Sequence, residues 1–284
     1  MKKKILLLTD FSKNSLNAIM YALELYRLDR CDFYVLNVFR TTYDLIKDII
    51  PPKQGEKGYD VPKKKSAEGL ERISKLIEFR EDKNPYHNFT YVSLNKPLLK
   101  AVDELVEEKD IEMVVMGTKG VSDNESPVYG SNAIEIMEKN RNCPVLVIPS
   151  EAKQVLPKEI VFPTSYKTHY KRRELDYLIE IARKNGASIK ILHIKEEDKL
   201  DKSQEAHQQM LEEYFDRLDY SFHSLSCVTV STAVKCFVES RESDMVAFIN
   251  KKHNFFGSIL TQPLVKDIGY KLKIPVLVLH DLRN

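Results

Sequence analysis

The residues best placed to do chemistry are Gly117-Thr118-Lys119-Gly120, followed nine residues later by Gly130-Ser131-Asn132. Two closely spaced glycines let a backbone adopt positive dihedrals and approach a ligand closely. If Gly130-Ser131 opens a helix, its unpaired N–H groups and dipole favour an anion. Ser131 would add a hydroxyl and Lys119 a countercharge, a combination suited to phosphate. A second reading has Gly117 and Gly120 shaping a tight turn while Ser131 caps a helix. Spacing alone leaves both open.

The elements that must position this loop are a buried strand before it and a helix after it. The run from Ile111 to Met116 is apolar and short enough for a strand, and the spacing predicts a helix over Asn132–Asn140. The same pattern recurs along the chain. Lys4-Ile5-Leu6-Leu7-Leu8-Thr9-Asp10-Phe11 matches Glu159-Ile160-Val161-Phe162-Pro163-Thr164-Ser165-Tyr166 at an offset of 155 residues. Each is followed by an amphipathic helix, with Ala18, Ala22, Leu23 and Tyr26 on one and Leu175, Leu178, Ile179 and Ala182 on the other. Phe33–Val38 then pairs with Ile189–Ile194, Met113–Met116 with Met245–Phe248, and Pro144–Ile148 with Pro275–Leu279. Apolar runs recurring in one order imply an internal duplication.

Each copy reads strand–helix–strand–helix–strand–helix–strand–helix–strand, which predicts an α/β fold. The expected form is two tandem open parallel five-stranded sheets with helices on both faces. Ligands bind such sheets beyond the carboxyl ends of the strands. The domains are placed at residues 1–150 and 157–284, joined by a proline-bracketed segment from Pro149 to Pro157. Thr41 to Lys65, with Pro51-Pro52, Gly55, Gly58 and Pro62, reads as a long loop before a helix beginning near Ser66.

Composition excludes several function classes. The chain has 284 residues, with 44 Lys+Arg against 42 Asp+Glu, leaving a net charge of +2 and no concentrated basic character for nucleic acid. The apolar run Ile5–Leu8 is too short for a signal peptide, and no stretch approaches the ~20 residues needed to span a bilayer. Neither a nucleic-acid nor a membrane partner is expected, and the cytoplasm is the expected compartment. Cys31, Cys143, Cys227 and Cys236 lack CxxC spacing, and the histidines lack metal-ligand spacing. No metal site and no catalytic residue are assigned. His193, inside an expected strand, reads as a core or pocket-edge imidazole, with a ligand role as the alternative. His253, beside Lys251 and Lys252, reads as part of an exposed basic turn, with an anion contact as the alternative.

G-x-x-G, nine residues, then G-[ST] resembles the nucleotide-binding signature of the universal stress protein family, and Gly117, Gly120, Gly130 and Ser131 fit it without a gap. The opening strand ending in Thr9-Asp10, with Ser12 and Ser15 beyond, is similar to that family's start. Cys143-Pro144-Val145-Leu146-Val147-Ile148-Pro149 resembles its end. The resemblance implies a tandem of two adenine-nucleotide α-hydrolase-like domains and an ATP ligand, with or without Mg. By position it implies that Asp10, with Thr9 beside it, lies on the adenine and ribose side and that Val38 holds adenine through its backbone. Met116, Gly117, Lys119 and Gly120 would wrap ribose and phosphates, while Gly130, Ser131 and Asn132 cradle the phosphates. Asp10 can equally be read as a helix cap. The resemblance also implies pairing through last strands, so an internal pseudo-dimer is expected, with Val145–Ile148 near Val276–Leu279; a homodimer is the alternative.

The second copy departs from this pattern. Ser165 replaces Asp10, no glycine matches Gly117 or Gly120, Gly257-Ser258 stands too close to the strand to rebuild the signature, and Thr261-Gln262 stands where Gly130-Ser131 would. Bulky residues of Asn250 to Ser258 are expected to fill the triphosphate space, leaving no ATP site there. The expected function is an ATP-binding stress or signalling module rather than an enzyme, with slow hydrolysis eased by Lys119 and Ser131 left open. The alternatives are a nucleotide-free interaction scaffold and a chain binding another small ligand in its second half.

Overall fold

A computed structural model describes residues 2–41, 51–118, 130–195, 199–226, 229–250 and 272–280. The first half runs β1 (Lys3–Leu8), α1 (Lys13–Leu25), β2 (Cys31–Val38), α2 (Lys57–Glu78), β3 (His87–Leu94), α3 (Leu98–Lys109), β4 (Met113–Gly117), α4 (Ser131–Lys139) and β5 (Val145–Ile148). The second runs β6 (Glu159–Thr164), α5 (Arg172–Asn185), β7 (Ser188–Lys195), α6 (Lys202–Phe215), β8 (Tyr220–Ser226), α7 (Val230–Arg241), β9 (Met245–Asn250) and β10 (Val276–His280).

The expected five-stranded sheets are the two halves of one ten-stranded sheet, in the order β3-β2-β1-β4-β5-β10-β9-β6-β7-β8. Every pairing within a half is parallel. The seam alone is antiparallel, with Val276 opposite Val147, Leu277 opposite Leu146 and Val278 opposite Val145. The two closing strands thus meet as the sequence led us to expect.

Strand alternation divides the core between two faces. Ile5 and Leu7 point to the face covered by α1, α2, α5 and α6, whereas Leu6 and Leu8 point to that covered by α3, α4 and α7. Both apolar layers run across the seam, so the halves share a continuous core. Polar contacts fasten it further. Lys3 pairs with Glu180 at 2.7 Å, Lys184 Nζ donates to the Leu25 carbonyl at 2.8 Å, and Lys184 also pairs with Asp29.

One boundary differs from the sequence reading. α2 begins at Lys57 rather than near Ser66, with Pro62 inside it. Proline lacks the N–H needed for an interior helical bond, which argues for a break. Here the first turn closes before Pro62, with Tyr59 and Asp60 N–H both donating to the Glu56 carbonyl at 3.0 and 2.9 Å. The run Lys63-Lys64-Lys65 therefore lies on a helix, exposed. Residues 42–50 of the expected loop fall outside the described residues.

Candidate functional site

In the order β2-β1-β4 the chain leaves β1 toward one edge and returns on its other side, opening a crevice at the strands' carboxyl ends. A cavity of about 430 Å³ occupies this crevice. Its wall includes Thr9, Asp10, Val38, Met116, Gly117, Gly130, Ser131 and Asn132, which brings together eight residues singled out from the sequence. Lys119 and Gly120, the other two, lie outside the described residues.

The β1–α1 turn is held by its own side chains. Thr9 Oγ1 accepts the Phe11 N–H at 3.0 Å and lies 3.1 Å from Ser15 Oγ. Asp10 Oδ1 accepts the Ser12 N–H at 3.0 Å. Ser12, not Asp10, is the α1 N-cap, its Oγ accepting the Ser15 N–H at 3.1 Å. Asp10 therefore shapes the turn while its carboxylate borders the cavity. Phe11 adopts φ of +66° and lays its ring over Gly69 of α2, where a Cβ would come within 2.4 Å.

Strand ends expose backbone groups to the cavity. Thr9 N–H donates to the Leu36 carbonyl at 2.9 Å, and on the opposite side Phe39 N–H donates to the Leu94 carbonyl at 2.9 Å. Because successive residues in a parallel strand face alternate neighbours, Val38 N–H and C=O face the side of Leu36. There β1 has already stopped. The edge of a heterocycle could take both groups.

The far wall is equally determined. Thr118 N–H donates to the Ile148 carbonyl at 3.2 Å, and Gly130 N–H donates to the Thr118 carbonyl at 2.6 Å. This places the first turn of α4, with Gly130 as its N-cap, on the cavity. Gly117 packs so closely on α1 that an added Cβ would lie 2.8 Å from Asn14 Nδ2 and 3.1 Å from its backbone carbon.

Sequence reasoning missed Asn37, Arg40 and Thr118 as wall residues. Asn37 is a polar residue inside an apolar strand, a signal that could have found it. Its Nδ2 donates to the Thr9 carbonyl at 2.8 Å and its Oδ1 accepts Ser66 Oγ at 2.6 Å, so it ties β1 to α2 under the cavity floor. Asn37→Ala removes the side-chain donor from the buried Thr9 carbonyl, while Ser66 keeps its bond to Ser93 Oγ at 2.7 Å, and should cost about 1–3 kcal/mol. Urea denaturation will read that loss; an unchanged midpoint contradicts the assigned role.

The second copy keeps the turn and changes the side chains. Tyr166 N–H donates to Thr164 Oγ1 at 3.0 Å and Lys167 N–H to Ser165 Oγ at 3.2 Å, repeating the bonds at Thr9 and Asp10. Tyr166 repeats the positive φ of Phe11, at +57°. The sheet registers place His193 where Asn37 stands and Ile249 where Gly117 stands. His193 Nδ1 donates to the Thr164 carbonyl at 3.0 Å, and its ring stacks on Tyr166 with centroids 4.8 Å apart. Tyr170 takes the place of Ser15, bonding Thr164 Oγ1. Burial pushes the Tyr170 phenol up to about 12 and Tyr166 higher still, so both stay protonated. A cavity of about 60 Å³ lies between this turn, the end of β7 and the start of α6. Tyr170 and the Tyr166–His193 stack place bulky groups at the first turn and strand end of this half. Residues 251–271, where the sequence placed the obstruction and His253, lie outside the described residues.

Among the described residues no cluster of three His, Cys, Asp or Glu could hold a metal ion. Burial lifts the Cys31 and Cys143 thiols to about 12, which leaves them protonated and unreactive. No described helix is long and apolar enough to cross a membrane.

Comparison with known proteins agrees with this architecture. A universal stress protein of Methanocaldococcus jannaschii is 29% identical over 154 residues, covering 54% of this chain and 85% of the relative. The crystal structure of a universal stress protein from Archaeoglobus fulgidus aligns with a TM-score of 0.69 at 19% identity, over 97% of this chain and 95% of that one. A functionally unknown protein from Pseudomonas aeruginosa aligns with a TM-score of 0.62 at 10% identity, over 99% and 93% of the two chains. At such identities the structural matches speak for the tandem fold alone. The profile of the universal stress protein family matches residues 1–149. The chain belongs to the universal stress protein family.

Proposed function

We propose that the chain is a nucleotide-dependent stress-response or signalling module of the cytoplasm, with one adenine-nucleotide site, for ATP, in its first half. One observation carries this reading: eight residues from four separate strand and helix ends converge on a single cavity of about 430 Å³. That volume lies within the usual range for small-molecule sites. Its chemistry is graded along its length. Val38 offers a backbone donor and acceptor to the base, Asp10 a carboxylate to ribose hydroxyls, and the first turn of α4 its N–H groups to phosphates. Lys119 and Gly120 complete the phosphate end in this proposal. Mg would ride mainly on the phosphates, since it keeps most of its waters and needs few protein ligands.

Binding rather than turnover is the proposed activity, because no described nucleophile–base pair borders the cavity. A change in the bound nucleotide would act through the first turn of α4 and through Asn37, which links the site to α2.

The test is to extract and identify the ligand that co-purifies with the protein. An adenine nucleotide should be released from the wild type and be lost in the Gly117→Val, Gly130→Val double variant. Asp10→Ala, which removes one charge-assisted contact, should weaken binding about 10- to 100-fold. No nucleotide in the extract, together with no thermal shift at millimolar ATP, would leave the chain an interaction scaffold and overturn the proposal.

A further inference from the structure

The chain leaving β4 is tied to α1 where it meets the phosphate end of the first cavity. Asn14 Nδ2 donates to Thr118 Oγ1 at 3.2 Å, a bond between residues 104 positions apart. Both partners are more than nine-tenths buried, at 8% and 1% exposure. Thr118 borders the cavity, and Asn14 is not among the described residues that do. Asn14 reaches Thr118 because Gly117 has no side chain: a Cβ there would lie 2.8 Å from Asn14 Nδ2. The glycine opens the slot that the amide fills. Thr118 in turn holds the anion-binding turn. Its N–H donates to the Ile148 carbonyl at 3.2 Å, and its carbonyl accepts the N–H of Gly130, the N-cap of α4, at 2.6 Å. Asn14 thus pins a residue whose backbone joins β5 to the first turn of α4. Its own position is set by the start of α1, where Ser12 is the N-cap and Ser15 Oγ donates to the Ser12 carbonyl at 3.0 Å.

The internal repeat supplies a contrast. The sheet registers place Asn250 where Thr118 stands and Ile249 where Gly117 stands. Ile249 brings a branched side chain to the position that Gly117 leaves open. The helix has also moved, since α5 begins at Arg172, farther beyond Tyr166 than Lys13 of α1 lies beyond Phe11. Asn250 turns to the other half: its Nδ2 donates to the Met137 carbonyl at 3.0 Å, and its own carbonyl accepts from Arg141. The residue after β9 is therefore anchored across the seam, whereas the residue after β4 is anchored to its own first helix.

We infer that Asn14 is a positioning residue of the first site: through Thr118 it sets the first turn of α4 for phosphate, and so gives the site its preference for phosphorylated nucleotides over nucleosides. The inference rests on the adenine-nucleotide reading of the first half. The groups assigned to base and ribose are held by other bonds, Asp10 by the Ser12 N–H and the end of β2 by the Leu94 carbonyl. Loss of the Asn14 bond is therefore felt at the phosphate end. A hydrogen bond buried this deeply holds its geometry well, because little water competes for either group.

The test is calorimetric titration of the full chain, stripped of ligand, with ATP and separately with adenosine. The readout is the ratio of the two affinities, which a general loosening of the fold would not move. Asn14→Ala should lower that ratio about tenfold, the worth of one buried hydrogen bond. Alanine is the better helix former, so α1 should persist, and melting temperatures will show it. Asn14→Ser, too short to reach Thr118, is the second variant and should lower the ratio in the same way. Thr118→Val should lower it at least as far, and adding Asn14→Ala to Thr118→Val should change it no further, because the two residues act as one unit. A wild-type ratio in both Asn14 variants, or a further tenfold loss in the double variant, would overturn the assignment of Asn14 while leaving the nucleotide site in place. A wild-type chain that binds neither ATP nor adenosine would overturn the first-half reading and this inference with it.

Discussion

Replacing His280 by Leu should remove on the order of 3 kcal/mol of acid destabilisation by pH 4.5, and on the order of 4 kcal/mol by pH 3. His280 ends β10, the strand that forms the seam, and is 1% exposed. Burial lowers its pKa from 6.5 to about 3; the Arg141 guanidinium adds to the effect and the Asn250 backbone opposes it. The sign follows from proton uptake. Above pH 6.5 neither state protonates this ring, so it contributes no pH dependence. Below 6.5 the unfolded chain takes up a proton that the fold refuses until about pH 3, and stability falls throughout that window at up to about 1.4 kcal/mol per pH unit. Carboxylates with lowered pKa values, such as Glu71 hydrogen-bonded to Lys75, start from 4.5 and add their own loss only at lower pH. Urea midpoints at pH 7 and pH 4.5 for wild type and His280→Leu isolate the effect. Parallel profiles for the two proteins would contradict it.

Gly117→Val should lower stability by about 1–3 kcal/mol and abolish nucleotide retention. Both effects have one origin. A Cβ at this position would approach Asn14 Nδ2 to 2.8 Å, and the Asn14 backbone carbon at 3.1 Å limits how far α1 can yield. The branched side chain would then turn toward the crevice that Gly117 lines. The second copy offers the natural comparison, since Ile249 occupies the matching register. Gly117→Ala separates the effects, because a methyl group retains the packing strain while intruding less on the crevice. Denaturation and ligand extraction on both variants will measure the two losses; wild-type stability and retention in Gly117→Val would contradict the close approach.

Much of the fold was legible because the repeat is written in apolar runs. Leu6 and Ile160 are fully buried in the opening strands of their halves, as are Val145 and Val278 on opposite sides of the seam. Burial on both faces of a parallel sheet demands such continuous runs, which makes them visible without a structure. The start of α2 was hidden by Pro62, whose conflict with an interior helix outweighed the helical spacing around it. Gly117, Gly130 and Ser131 announced the far wall through residue type. Arg40 and Thr118 did not, since they enter the wall only through the crossover that brings β2 and β4 to either side of β1. In the second half, Tyr166, Tyr170 and His193 place bulk at the first turn and strand end, and the approach of His193 to that turn depends on strand register rather than on sequence proximity.

The central claim is that the duplicated chain holds one adenine nucleotide, in the crevice of its first half. The most direct measurement is the stoichiometry of ATP binding to the intact chain by equilibrium titration of protein stripped of ligand. One nucleotide per chain, lost in Gly130→Val, is the predicted result. Two nucleotides per chain, or none at millimolar ATP, would contradict it.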